Sequence, residues 1–225
     1  MINNQEVEMA FDIINFKNEF LYFIRNNDIL TITQRGVTTS TGVGTFSGET
    51  SLIISTINVK NIRSITVASS LLTYGDDYTY DIDYDNSGTI ACKITFTSAQ
   101  TGAYSIIYDH GTDKIYPDFP RDDLSISSYP RIAVDVLNTT TDPNGLGGDE
   151  FISEVNLTVG IYADNIEAID DYINTLRSAV IGSSKDFYYV RYVRPTIIGP
   201  TINDAERGDE ILHRNIDFTA KFNTE

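Results

Sequence analysis

The segment FISEVNLTVGIYADNIEAIDDYINTLRSAVIG, residues 151–182, carries two clear periodicities in succession, and their order sets the fold class. From Phe151 to Tyr162, Val155, Leu157, Val159 and Ile161 alternate with Asn156, Thr158 and Gly160, the pattern of a half-buried strand. The spacing then becomes helical: Ile166, Ile169, Ile173, Leu176 and Val180 line one face, and Gly182 ends the run. Asp164-Asn165-Ile166-Glu167 has the form of a capping box with Asp in the place of Ser or Thr.

Working outward, Arg131 to Leu137 reads as a strand. Asn138 to Glu150 (NTTTDPNGLGGDE) offers only Leu146 to a core, so it should be a mobile hairpin loop. Beyond the helix, Phe187 to Ile198 is a strand interrupted at Pro195. Leu212 to Phe222 is another, with Leu212, Ile216, Phe218, Ala220 and Phe222 on one face. The polar stretch Pro200 to Glu210 connects them, and the proline-bearing Tyr116 to Pro130 (YPDFPRDDLSISSYP) marks the upstream boundary. This is a β-β-α-β-β unit.

A long helix is expected from Glu6 to Asn26. Met9, Ile13, Phe16, Phe20 and Phe23 form one stripe, and Val7, Ala10, Phe11, Ile14, Leu21 and Ile24 form a second. A helix packed on one core needs an apolar arc of about 100°, and this one has more. Either it is sandwiched between its own sheet and a neighbouring domain, or it contributes to a subunit interface.

Between these parts the helical period is lost. Asp28 to Arg35 reads as a short strand, and TTSTGVGTFSG (38–48) as a linker of small, turn-prone residues. Short strands from Ser51 to Asp109, separated by turn signals, predict a small antiparallel sandwich or barrel. Within it, Tyr78, Tyr80, Ile82 and Tyr84 alternate with Thr79, Asp81, Asp83 and Asp85, and Asn86-Ser87-Gly88 turns this strand onto Ile90 to Thr97. Asp81-x-Asp83-x-Asp85 lacks the Gly and Glu that a calcium loop requires at its sixth and twelfth positions, which hold Asn86 and Cys92. A solvated acidic strand face is the expectation. The fold class is therefore α+β. A small mixed sheet flanked by helices comes from residues 1–38 and 113–225, with an antiparallel β-sandwich-like domain inserted at 39–112.

A net charge of −16 argues against general nucleic-acid binding. Cys92 is the only cysteine, which excludes an internal disulfide. The opening MINNQEVEMA has no basic stretch before an apolar one, so no signal peptide is expected, and no apolar run is long enough to cross a bilayer. A soluble protein follows. His110 and His213 lack a Cys or second His at metal spacing, and neither a Gly-x-Ser-x-Gly elbow nor a phosphate-binding Gly-x-x-x-x-Gly-Lys loop is present. Gly145-Leu146-Gly147-Gly148 is glycine-rich, but an acid pair follows it and no Lys or Arg accompanies it. No catalytic, metal-binding or cofactor-binding residue is assigned, and enzymatic activity is not expected.

The first helix, Tyr129-Pro130-Arg131-Ile132-Ala133-Val134, the loop after it, the strand ending Val159-Gly160-Ile161-Tyr162-Ala163-Asp164-Asn165 and the following helix together resemble the tail terminator (tail completion) proteins of long-tailed bacteriophages and related archaeal viruses. The resemblance covers residues 1–35 and 116–225. It implies a virion protein of the tail and neck, with a small α/β domain forming a six-membered ring. Such a ring stops tail-tube growth, contacts the tail-tube protein and the head-completion (connector) proteins, and lets DNA pass through an acidic lumen without specific binding. The middle β-domain departs from the family and would be an insertion on the ring's outer surface. A closing ring needs a heterologous interface, for which Met9, Ile13, Phe16, Phe20, Phe23, Arg191, Arg194 and Arg214 are the candidates. Thr141, Asp142, Pro143, Asn144, Gly145, Leu146, Gly147 and Gly148 are the candidate tail-tube contact. Two other expectations stand beside this: another connector, tail or baseplate protein, or a surface- or glycan-binding module carried by the β-domain.

Overall fold

The structure, a computed structural model, describes residues 13–118, 129–143, 151–204 and 211–224. The elements in chain order are α1 (Ile13–Asn26), α2 (Ile32–Arg35), β1 (Val37–Ile54), β2 (Val59–Val67), β3 (Ser70–Leu72), β4 (Tyr78–Asn86), β5 (Thr89–Gly111) and β6 (Ile115–Tyr116). They are followed by β7 (Arg131–Pro143), β8 (Phe151–Ala163), α3 (Ile166–Gly182), β9 (Tyr192–Ile198), β10 (Ile202–Asp204) and β11 (Ile211–Thr224). The result is a mixed, strand-rich chain with two sheets. Among the described residues no helix is long and apolar enough to cross a membrane.

The first sheet, β1 to β5, is antiparallel throughout and is organised around β5. Along one side β5 pairs with β1 over nearly its whole length; along the other it pairs with β4 and then with β2. Its core holds Phe46, Ile62, Ile65, Tyr78, Ile94, Phe96, Ile106 and Tyr108. The expected β4–β5 hairpin is present, with Tyr78 opposite Phe96 and Asp81 opposite Lys93. Tyr78 is buried, Tyr80, Ile82 and Tyr84 are half-buried, and Asp81, Asp83 and Asp85 face solvent.

The second sheet has the order β10-β11-β8-β7-β6, with β9 also on β11; the β6–β7 pair is parallel and the others antiparallel. Val155, Leu157, Val159 and Ile161 of β8, with Ile132, Val134, Ile216, Phe218 and Ala220, turn one face toward α1 and α3. Both long helices pack on that face, which covers an apolar stripe of each.

Six local expectations are corrected. Asp28 to Arg35 is not a strand: Thr31 Oγ1 accepts the Gln34 N–H and Gln34 Oε1 accepts the Thr31 N–H, a reciprocal cap that starts α2, and Gly36 at φ +70° ends it. Residues 38–48 are not a linker but most of the first half of β1, paired without interruption from Val37–Gly111 to Ser47–Thr101. The cap of α3 is Asn165, whose side chain accepts the Ala168 N–H, one residue later than the Asp164 box predicted. Asn138 to Pro143 is not loop, because β7 stays paired with β8 as far as Pro143 opposite Phe151; residues 144–150 lie outside the described residues. Further along, Phe187 to Arg191 precedes β9 rather than belonging to it, and β10 forms inside the stretch expected to be an irregular connection.

Candidate functional site

Polar side chains converge where α1 and α2 meet the first sheet. Arg35 is fully buried: its Nε donates to Asp113 Oδ1 at 2.9 Å and its Nη1 to Asp109 Oδ2 at 2.8 Å. Arg25, in the last turn of α1, donates from Nε to Asp113 Oδ2 at 2.9 Å and from Nη2 to the Ile115 carbonyl at 3.0 Å. Arg63 bridges Asp109 at 2.8 Å and Asp28 at 2.9 Å, and the Thr39 hydroxyl donates to Asp109 at 2.8 Å. Three guanidiniums thus meet three carboxylates, so the cluster is neutral. Burial alone would raise the pKa of Asp109; the hydrogen bonds from Arg63 and Thr39 and the nearby arginine charges hold it below the ordinary carboxylate value. The cluster ties α1, α2, β1, β2 and the β5–β6 connection together.

Beside it, α1 is sandwiched. Its Tyr22 ring stacks on Tyr74 at 4.4 Å between centroids, and Asn61 Nδ2 donates to Asn26 Oδ1 at 3.0 Å. Gly75, at φ +90°, is needed here, because a Cβ would stand 2.7 Å from Cγ of Tyr188. Two clefts flank the helix. One of about 440 Å³ is lined by Asn15, Asn18, Tyr80, Asp81, Asp83 and Tyr189 among others, and one of about 340 Å³ by Tyr22, Leu72, Asp186 and Phe187 among others.

Glu19 lies buried on α1, and its carboxylate accepts the N–H groups of Tyr188 and Tyr189. Burial pushes its pKa up to about 7, against those two hydrogen bonds and with a further push from Asp76. Because the folded value lies above the reference 4.5, the stability this group contributes is present below that value and is lost as pH rises through 7. Between pH 5 and 8 it should remove up to about 3 kcal/mol. Glu19→Gln should flatten that slope in denaturant unfolding measured across the range; an unchanged slope would assign it to other groups.

The Cys92 thiol is buried and burial pushes its pKa up to about 12, which leaves almost no thiolate at neutral pH. Ser40 Oγ and His110 Nε2 lie 3.0 Å apart across β1 and β5, a nucleophile–base distance that sequence spacing could not reveal. The neighbouring Asp109 is committed to Arg35, Arg63 and Thr39, and neither Ser40 nor His110 lines a described cleft. Among the described residues, no group of three or more His, Cys, Asp or Glu side chains is placed to hold a metal ion.

The interface candidates are scattered. Phe16 and Phe20 are 0% exposed inside the subunit and are unavailable to a partner, and Phe23 packs against the same core. From Phe16 to Ile24 the apolar arc of α1 is taken up by the sheet on one side and the tyrosine cluster on the other, whereas Ile14 is exposed. Ile13 is exposed at the start of α1, and Met9 lies outside the described residues. Arg214 is engaged within its own chain, donating to Asp170 and to the Gly199 carbonyl. Arg191 and Arg194 are exposed, the latter on β9 opposite Thr219. Thr141, Asp142 and Pro143 have strand backbone, whereas Asn144, Gly145, Leu146, Gly147 and Gly148 lie outside the described residues. Sequence reasoning missed Arg25, Arg35, Arg63, Asp109 and Asp113, whose pairings join residues 46 to 88 positions apart. No protein-family model matches the chain, and no match to a curated protein was found.

Proposed function

We propose that this chain is a virion structural protein of the tail terminator kind. It assembles as a six-membered ring that caps the tail tube and joins it to the head-completion proteins. In this reading the helix-flanked mixed sheet is the ring-forming part, and the antiparallel first sheet is an insertion carried on the ring's outer surface. The observation that carries the reading is the second face of the six-stranded sheet. Among the described residues, α1 and α3 pack on one face; on the other, Asn138, Asn156, Thr219 and Arg194 form one row and Asp135, Thr158, Asp217 and Ile197 the next, with Thr158 and Thr219 buried at the centre and Asn138, Arg194 and Ile197 exposed toward the edges. Arg194, an exposed cation at the edge of this face on an acidic chain, suits contact with an acidic neighbour. The β7–β8 arm leading to residues 144–150 is the tail-tube contact.

Native mass spectrometry with negative-stain imaging, in low and high salt, tests this. A closed ring near six subunits, or a monomer that forms one only with tail-tube protein, supports the reading; a monomer indifferent to tube protein at every salt concentration removes it. Deleting residues 140–148 should abolish tube capping while leaving the fold intact, and unchanged capping would dismiss the loop's role. A second reading, a glycan-binding surface on the first sheet, is favoured by the cleft that Asn15, Asn18, Tyr80, Asp81 and Asp83 line. Glycan-array binding by the full chain, lost on Asp81→Ala with Asp83→Ala, would establish it.

A further inference from the structure

An exposed strand edge is a template for pairing with another chain, and proteins guard such edges by shortness, charge, proline or bulges. Among the described residues, most edges here are guarded. β3 and β10 have three residues each and β6 has two; β9 is interrupted at Pro195, where its register shifts; β4 carries exposed Asp81, Asp83 and Asp85. Beyond Ala133, β7 also has no second strand partner among the described residues, but its ladder shifts register between Val136 and Asn138 and it ends at Pro143. The exception is β1. It pairs only with β5, and from Val37 to Ser47 its ladder runs without a bulge, the first register shift coming after Ser47.

Its composition is equally unusual for this molecule. In a chain of net charge −16, residues 36–58 (GVTTSTGVGTFSGETSLIISTIN) contain one charged side chain, Glu49, and its carboxylate accepts the nearby Ser47 N–H. Like-charged copies repel over most of their surface, and this edge is where two of them can approach without facing charges. The strand is also self-complementary. In an antiparallel pair centred on Val43, Val43 meets its own copy, Thr41 meets Thr45 and Thr39 meets Ser47 on one face, while Gly42 meets Gly44 on the other. β-Branched and Thr–Thr cross-strand pairs are favourable, and no charged pair occurs in the window. Val43 is 74% exposed, and a groove of about 180 Å³, lined by Val43, Leu52, Tyr104, Tyr108, Ser55 and Thr56 among others, opens beside it.

We infer that β1 is a self-association edge: two copies of this chain join their first sheets through antiparallel β1–β1 pairing over Thr39–Ser47. The contact is isologous, so it closes at two and does not propagate. It is independent of the ring reading, since it uses neither β9 nor the polar face of the second sheet. In a ring-forming protein it links subunits of two rings.

The test is sedimentation velocity of the full chain across a concentration and salt series, with hydrogen exchange of the β1 amides. Dimerisation should strengthen as salt screens the net charge, and protection of alternate amides in Thr39–Ser47 should grow with protein concentration. The triple variant T41K/V43K/T45K places charges on exposed side chains of one strand face. It should raise the dimer dissociation constant at least about tenfold with unchanged circular dichroism and melting temperature. Ring formation, if present, should persist in it, which separates failure of this contact from failure of the ring. Concentration-independent exchange of these amides would overturn the inference. So would protection that appears only when a different protein is added, or a triple variant that dimerises as before.

Discussion

Replacing Asp113 with alanine should lower the unfolding free energy by about 3–5 kcal/mol, the cost of breaking a buried ion pair by removing one partner. For a chain of this length that corresponds to a melting temperature lower by roughly 6–20 °C. Asp113 is 2% exposed and holds Arg25 through one carboxylate oxygen and Arg35 through the other. Its loss leaves two guanidiniums without their shared acid. Arg35 has no route to water, and its Nη2 already lacks a partner among the described residues. Asp109 cannot compensate, because Arg63 and Thr39 occupy its other oxygen. The loss should also be local before it is global. Hydrogen exchange should show α2 and the start of β1 opening first, since this cluster is what fastens them to the β5–β6 connection. Arg25→Met and Arg35→Met together with Asp113→Leu should recover much of the stability, because apolar groups then replace both ions that Asp113 held and that are expensive to bury. If D113A unfolds within about 1 kcal/mol of the parent, the cluster is not the fastening between these elements.

The periodic parts of this fold were readable from sequence, and the pairwise parts were not. β8 and α3 announce themselves because each buries one face against a single layer, so spacing alone carries the signal. The β4–β5 hairpin was legible for the same reason, with the Asn86-Ser87-Gly88 turn between two alternating runs. β1 was misread because its own side chains do little of the burying. A Cβ on Gly44 would stand about 2.7 Å from the Tyr104 ring, so the aromatic that fills this position comes from β5, and the glycine that resembled a linker is where a neighbouring ring lies on the backbone. α2 was misread because Ile29 and Leu30 are indeed buried, which mimics a strand, while the decisive bonds are local ones between Thr31 and Gln34. The Arg–Asp cluster left no trace in sequence: its members are ordinary charges until the chain brings residues 25, 35, 63, 109 and 113 together. The same limit applied to the interface candidates. A stripe of phenylalanines shows that a helix face is buried, not which surface buries it.

Phe20 separates these two meanings. Phe20→Ala should destabilise the isolated subunit by about 3–5 kcal/mol, the range for truncating a fully buried aromatic. Its ring is 0% exposed and packs against Phe218 at 5.3 Å, Phe187 at 5.9 Å and Phe16 at 6.2 Å between centroids, joining α1 to β11 and to the segment after α3. The cavity would lie where three elements meet, and none can close it without separating from the others. Arg194→Glu, an exposed substitution on β9, should stay within about 0.5 kcal/mol of the parent. Under the ring proposal the consequences for assembly are reversed. Folded F20A subunits, studied well below their lowered melting temperature, should assemble normally, because Phe20 touches no partner; R194E should fold normally and assemble poorly, because it turns the exposed cation beside the polar sheet face into an acid. Denaturant unfolding and native mass spectrometry on the same two variants read both axes. If F20A abolished assembly while unfolding at the parent's denaturant midpoint, Phe20 would be an interface residue after all, and the placement of α1 against its own sheet would have to be given up.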